Sequence, residues 1–154
     1  MSKSVIRTLL LKALFILLLM IGGIAGSSPV RAQEVIINQS VQNRTVTQSS
    51  LRAIFSMRMR QWPDGSPIKV FVLPTEDPIH VSFSKSVLNT FPYQLKRSWE
   101  MLIYSGTGQG PTEVKSPREM LKAVSLTRGA IGYIPKDYLL RGGTSENISI
   151  MEVR

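Results

Sequence analysis

Ile68-Lys-Val-Phe-Val-Leu-Pro-Thr-Glu-Asp-Pro-Ile-His-Val-Ser-Phe83 reads as a strand, a sharp turn and the first turns of a helix. Val70, Phe71, Val72 and Leu73 form a continuous apolar run, the pattern of a strand covered on both faces. Asp77-Pro78 joins an N-cap residue to proline at the first helical position, and Ile79, Phe83 and Val87 then share one helical face. Ligands of α/β proteins collect at such junctions, because strand ends and helix N-termini converge there.

Upstream, Glu34–Asn38 is a β-branched strand, followed by a polar stretch, 39–44. Thr47 is placed to cap a helix whose stripe is Leu51, Ile54 and Phe55, with Arg58 and Arg60 near its C-terminal end, where the helix dipole favours cations. Trp62-Pro63-Asp64-Gly65 is a tight turn. Downstream, Asn89-Thr90-Phe91-Pro92 separates two helices, the second carrying Leu95, Trp99, Leu102 and Ile103 and ending at Ser105-Gly106. Trp99 is expected in the core. Ser116-Pro117-Arg118-Glu119 is a capping box opening a helix through Met120, Leu121 and Val124, with Gly129 as its stop. Ala130–Ile134 is a third strand closed by Pro135; Gly142-Gly143 turns into a last strand, 147–153, where Ile148 and Ile150 alternate with polar residues. Strands alternating with helices make the fold class α/β, a mostly parallel sheet with helices on both faces.

The N-terminus bounds the compartment. Lys3, Arg7 and Lys12 precede an uncharged apolar run, 13–25, and Val30-Arg31-Ala32 has the small-x-small pattern that signal peptidase cleaves. The run is too short for the ~20 residues of a spanning helix. Residues 1–32 are thus expected to be a signal peptide cleaved after Ala32, with 33–154 as one domain and membrane contact only through the transient signal. Four of the 19 basic residues and none of the 10 acidic ones precede that site, which leaves a net charge of +5. The basic residues are spread out, and the tightest groups are Arg58/Arg60 and Lys96/Arg97. That distribution argues against nucleic acid but allows attraction to anions or an anionic membrane surface. No cysteine is present, so disulfides and thiol chemistry are excluded.

Leu51-Arg-Ala-Ile-Phe55, Trp62-Pro-Asp-Gly-Ser-Pro-Ile68 and Arg128-Gly-Ala-Ile-Gly-Tyr-Ile-Pro135, in that order, resemble the periplasmic substrate-binding proteins of phosphate-type ABC transporters. The resemblance covers about Glu34 to Leu140. It implies a single lobe of a type II periplasmic binding protein-like fold, bacterial and periplasmic, where full members hinge two lobes around a buried anion. In those proteins the strand matching Ile68–Leu73 runs into Arg-x-Asp-Gly-Ser-Gly-Thr, whose arginine, hydroxyls and amides hold phosphate. Here the arginine is absent and the donors are replaced by Pro78-Ile79-His80. Glu76 and Asp77 put negative charge where the phosphate would lie, a repulsion on the order of 4 kcal/mol per contact at an effective dielectric near 20.

The only histidine, His80, has Glu76 four residues before it and Ser84 four after, but is expected on the surface of its helix. One histidine and no cysteine make a zinc site improbable, and no cofactor is expected. The 106–110 loop lacks the spacing of a phosphate cradle and reads as a helix stop with a mobile connection; the resemblance implies the rival reading, that Ser105, Thr107 and the loop amides line a cleft edge. The expected function is non-enzymatic solute binding with a weak or altered anion site. Thr75, Asp77, Ser105, Thr107 and the amides after Asp77 are the candidate ligand residues. A small oxyanion or other small solute would be the ligand, and a transporter or envelope protein the partner. The alternative is an envelope interaction module that has lost solute binding.

Overall fold

The computed structural model describes residues 32–139 and 146–154. The expected signal peptide, apart from Ala32, and the Gly142-Gly143 turn lie outside them. The elements run β1 (Gln33–Asn38), β2 (Thr45–Val46), α1 (Gln48–Phe55), β3 (Lys69–Val72), α2 (Pro78–Ser86), α3 (Pro92–Tyr104), β4 (Thr112–Glu113), α4 (Pro117–Leu126), β5 (Ala130–Pro135) and β6 (Ile148–Val153). The sheet order is β2-β6-β1-β5-β3-β4. Pairings β2–β6, β3–β4 and β3–β5 are parallel, whereas β1 runs antiparallel to both β5 and β6. Parallel pairing thus holds for three of five contacts, with an antiparallel strand at the centre of the mixed sheet.

Register shows why the central strands are apolar on both faces. Tyr133 opposes Val35, and Gly132 opposes Ile36. Successive side chains alternate across a strand, so these two pairs face opposite sides. On one side Tyr133 stacks on Phe83 of α2 with ring centroids 3.9 Å apart, and Phe55 of α1 meets Phe83 edge-on at 4.9 Å. On the other, a Cβ at Gly132 would run into Met120 and Val124 of α4. Helices therefore cover both faces. Each aromatic pair adds about 1 kcal/mol beyond its burial.

The caps follow the expected chemistry. Thr47, Asp77 and Ser116 each accept a hydrogen bond from an amide of the helix they begin. Asn89 and Gly106 take positive φ, 49° and 68°, where α2 and α3 give way to loops. Trp99 is in the core, and its indole N–H donates to the Phe55 carbonyl at 2.8 Å, tying α3 to the end of α1.

Four details depart from expectation. Helix α1 stops at Phe55, because Met57 adopts a left-handed conformation (φ 63°) and the Arg58 and Met59 amides both turn back to the Ala53 carbonyl. Arg58 and Arg60 thus lie beyond the helix, and Arg52 is the cation of its last turn. On α3, Ile103 is exposed, and Leu95 and Trp99 are the fully covered positions. On β6 the fully buried side chain is Met151, with Ile148 and Val153 partly buried against the core, while Ile150 faces solvent. The two-residue strands β2 and β4 carry no pattern of their own; each is set by its neighbour, β6 or β3.

The segments that carried the family resemblance pack on one another. Gly129 (φ 73°) sits so close to the Pro67 carbonyl that a Cβ would collide with it. Its N–H donates to Ser40 Oγ at 2.9 Å, and its carbonyl accepts from Trp62 Nε1 at 3.0 Å and from the Lys69 amide at 3.1 Å. Asn38 completes this end of the sheet by donating to the Val124 and Ser125 carbonyls of α4.

Candidate functional site

The β3–α2 corner has the geometry expected of it. The chain leaves β3 at Val72 and makes a turn in which the Asp77 amide donates to the Pro74 carbonyl at 2.9 Å; it then enters α2. Thr75 is half-buried, Glu76 is exposed, and Asp77 caps the helix. Asp77 Oδ1 accepts from the Ile79 amide at 2.7 Å. The Val81 amide is bonded to the Asp77 carbonyl, and Pro78 has no N–H. Asp77 thus already takes the Ile79 amide that would greet an anion at this helix end, and its charge satisfies the dipole.

Behind the corner runs a buried polar chain. The Leu73 amide donates to Tyr133 Oη at 2.9 Å, Tyr133 Oη lies 2.6 Å from His80 Nδ1, and His80 Nε2 lies 3.4 Å from Ser84 Oγ. His80 is 1 % exposed and Ser84 0 %. The expected surface histidine is thus a core residue. Its helical position, three before Phe83 and seven before Val87, puts it on the sheet-facing side, and the Tyr133 hydroxyl makes burial tolerable. Burial pushes the His80 pKa down to about 4, with the nearby Asp77 carboxylate pulling weakly the other way. Burial likewise pushes the Tyr133 phenol up. The imidazole is neutral at pH 7 and accepts the phenol proton at Nδ1, which leaves the Nε2–H for Ser84. Glu76 is exposed and takes no part, so no carboxylate–imidazole–hydroxyl relay forms.

Ser105 and Thr107 lie elsewhere. Their hydroxyls are 2.8 Å apart and exposed, and the Thr107 carbonyl accepts from Arg60 Nη1 at 3.1 Å. The Arg60 carbonyl in turn accepts from the Ile68 amide, which places this loop at the start of β3. Thr75 and Asp77 follow its other end. The structure brings the candidates together in two pairs, one at each end of the strand, and does not join the pairs.

A second concavity, of about 890 Å³, runs between α1 and α3. Arg52, Arg58 and Arg97 line it with Thr90, Tyr93 and Ser98, and no carboxylate does. Arg58 and Arg97 stand in the short basic groups visible in sequence; what unites them is the Trp99–Phe55 contact between the two helices. Among the described residues no group of three or more metal-ligating side chains occurs, and no helix is long and apolar enough to cross a membrane.

Solved structures identify the fold. A phosphate transport receptor from Vibrio cholerae superposes with a TM-score of 0.58 at 14 % identity, over 79 % of this chain and 45 % of that one. The chain has the fold of phosphate-type substrate-binding proteins. PstS from Borrelia burgdorferi gives 0.61 at 19 % identity, over 80 % of this chain and 47 % of its own length. A phosphate ABC transporter substrate-binding protein with bound phosphate, from Clostridium perfringens, gives 0.58 at 15 %. The chain spans under half the length of each of these neighbours. In sequence, no family model and no curated protein matches it.

Proposed function

We propose that the chain is a non-enzymatic solute-binding protein of the phosphate-type class. In this proposal it is exported to the periplasm through a signal peptide cleaved after Ala32, and it forms a single lobe whose usual anion corner has been altered. One observation carries the alteration: Asp77 occupies the helix N-terminus with its own carboxylate, 2.7 Å from the Ile79 amide. A phosphate there would have to displace that carboxylate and then sit beside it. Export is supported by the sequence of the first 32 residues, and solute binding by the fold shared with transport proteins.

Calorimetric titration of the purified protein with phosphate, sulfate and other oxyanions tests the proposal. Binding of phosphate at the corner should be millimolar or weaker, and Glu76→Gly with Asp77→Ser should strengthen it. Micromolar phosphate affinity that the Asp77 change abolishes would overturn the altered-site account.

A second reading, an envelope interaction module without solute binding, is favoured by one feature. Tyr93, Met101 and Tyr104 of α3 are 64 %, 65 % and 85 % exposed, and Phe91 beside them 51 %. Side chains of this kind anchor protein interfaces. No heat with any solute, together with one specific partner recovered by cross-linking in the cell envelope, would establish it over solute binding.

A further inference from the structure

We infer that the groove between α1 and α3 is an anion site, built for an organic ligand carrying at least two phosphate groups. Three guanidinium groups enter it from separate places: Arg52 on α1, Arg58 just after it, and Arg97 on α3. None of the three has a carboxylate partner among the described residues, and none of the groove's lining residues is acidic. Like charges converging without counter-ions cost stability unless something else neutralises them. Arg52 is already oriented: its Nε donates to the Leu88 carbonyl at 2.8 Å, while its Nη groups make no protein hydrogen bond among the described residues. That fixes the fork of donors that suits a phosphate.

The groove has room for more than a single inorganic phosphate. At about 890 Å³ the groove falls among pockets that hold organic ligands, roughly 300–1,000 Å³. Arginines on two helices would engage separate phosphates, and the exposed ring of Tyr93 offers the carbon part of the ligand a flat apolar surface. The site is independent of the corner. Asn89 and Thr90, at one side of the groove, follow the C-terminal end of α2, whereas Asp77 caps its other end. Anion chemistry missing at one end of α2 is thus present near the other.

Inositol hexakisphosphate serves as the soluble probe, read by isothermal titration calorimetry. Vesicles containing cardiolipin, a lipid with two phosphates in one headgroup, serve as the lipid probe, read by co-sedimentation. Arg58→Gln with Arg97→Gln should weaken binding about tenfold or more, since each change removes a charge-assisted contact. Both side chains are exposed and hold no other element in place, so the fold should be kept. Arg118→Gln with Lys122→Gln, on α4 at the opposite face of the sheet, lowers the net charge equally and should leave binding within about twofold. Capture of the soluble probe alone would assign the phosphates to a free ligand, and capture of vesicles alone to lipid headgroups; either, with that variant pattern, supports the groove. Equal losses in both double variants, no loss in the first, or no binding of either probe to the unaltered protein would overturn it. Asp77→Ser should not change the result, which separates this site from the corner.

Discussion

The β3–α2 corner and the α1–α3 groove differ in how their polar groups are satisfied. At and behind the corner the least exposed polar groups are bonded within the chain: Asp77 by the Ile79 amide, Tyr133 by Leu73 and His80, His80 by Ser84. In the groove the strongest donors, three arginines, face solvent without acidic partners. Internally closed hydrogen bonds stabilise a fold and resist exchange for a ligand, because a ligand must replace what it breaks. Open cationic donors add little to stability and are free to bind. The corner's bonded groups thus serve the fold, and the open cationic donors lie near the other end of α2.

Stability measurements can break this contrast, and they rank by size. Tyr133→Phe should cost about 3 kcal/mol in urea unfolding, because it strands the buried Leu73 amide and His80 Nδ1 together. A loss under 1 kcal/mol would mean that water already serves those groups. The effect of pH comes next. His80 has a folded pKa of about 4 against 6.5 when exposed, so the unfolded chain binds the proton first as pH falls. Its contribution is therefore intact above pH 6.5 and declines from there down toward pH 4. Between pH 7 and 5 the protein should lose about 2 kcal/mol more than a His80→Gln variant, and no other histidine can account for the difference. Parallel curves for the two would place His80 in water. Asp77→Ala should cost about 1 kcal/mol through the lost cap, read as a fall in the thermal midpoint. Smallest of all, Arg58→Gln with Arg97→Gln should leave stability within about 0.5 kcal/mol. A larger loss would show that the groove arginines belong to the fold after all.

Legibility from sequence followed the range of the forces involved. Thr47, Asp77 and Ser116 could be named as caps because capping needs only residues two or three apart. The strand was legible from the continuous apolar run Val70–Leu73, the pattern of a strand covered on both faces. His80 was misplaced for the converse reason. Its burial depends on a hydroxyl 53 residues away, and nothing near it in the chain announces Tyr133. Sequence put Arg58 and Arg60 near the end of α1 but did not mark its stop, because the buried Met57 is a residue with no preference for the positive φ it takes there. Ser105 and Thr107 were grouped with Thr75 and Asp77 through the family resemblance; the parallel register of β4 on β3 sets their loop at the far end of the strand.

The amino-acid order alone thus determined the α/β class, the helix starts, the two-sided strand and the acid-capped corner, since all of these rest on local periodicity and on contacts within one turn. Tertiary structure alone decided that β1 runs antiparallel between its neighbours, that a histidine closes a hydrogen-bond chain inside the core, and that Arg52, Arg58 and Arg97 line one groove. These depend on which elements meet, and that is set by the burial of apolar faces distant in sequence.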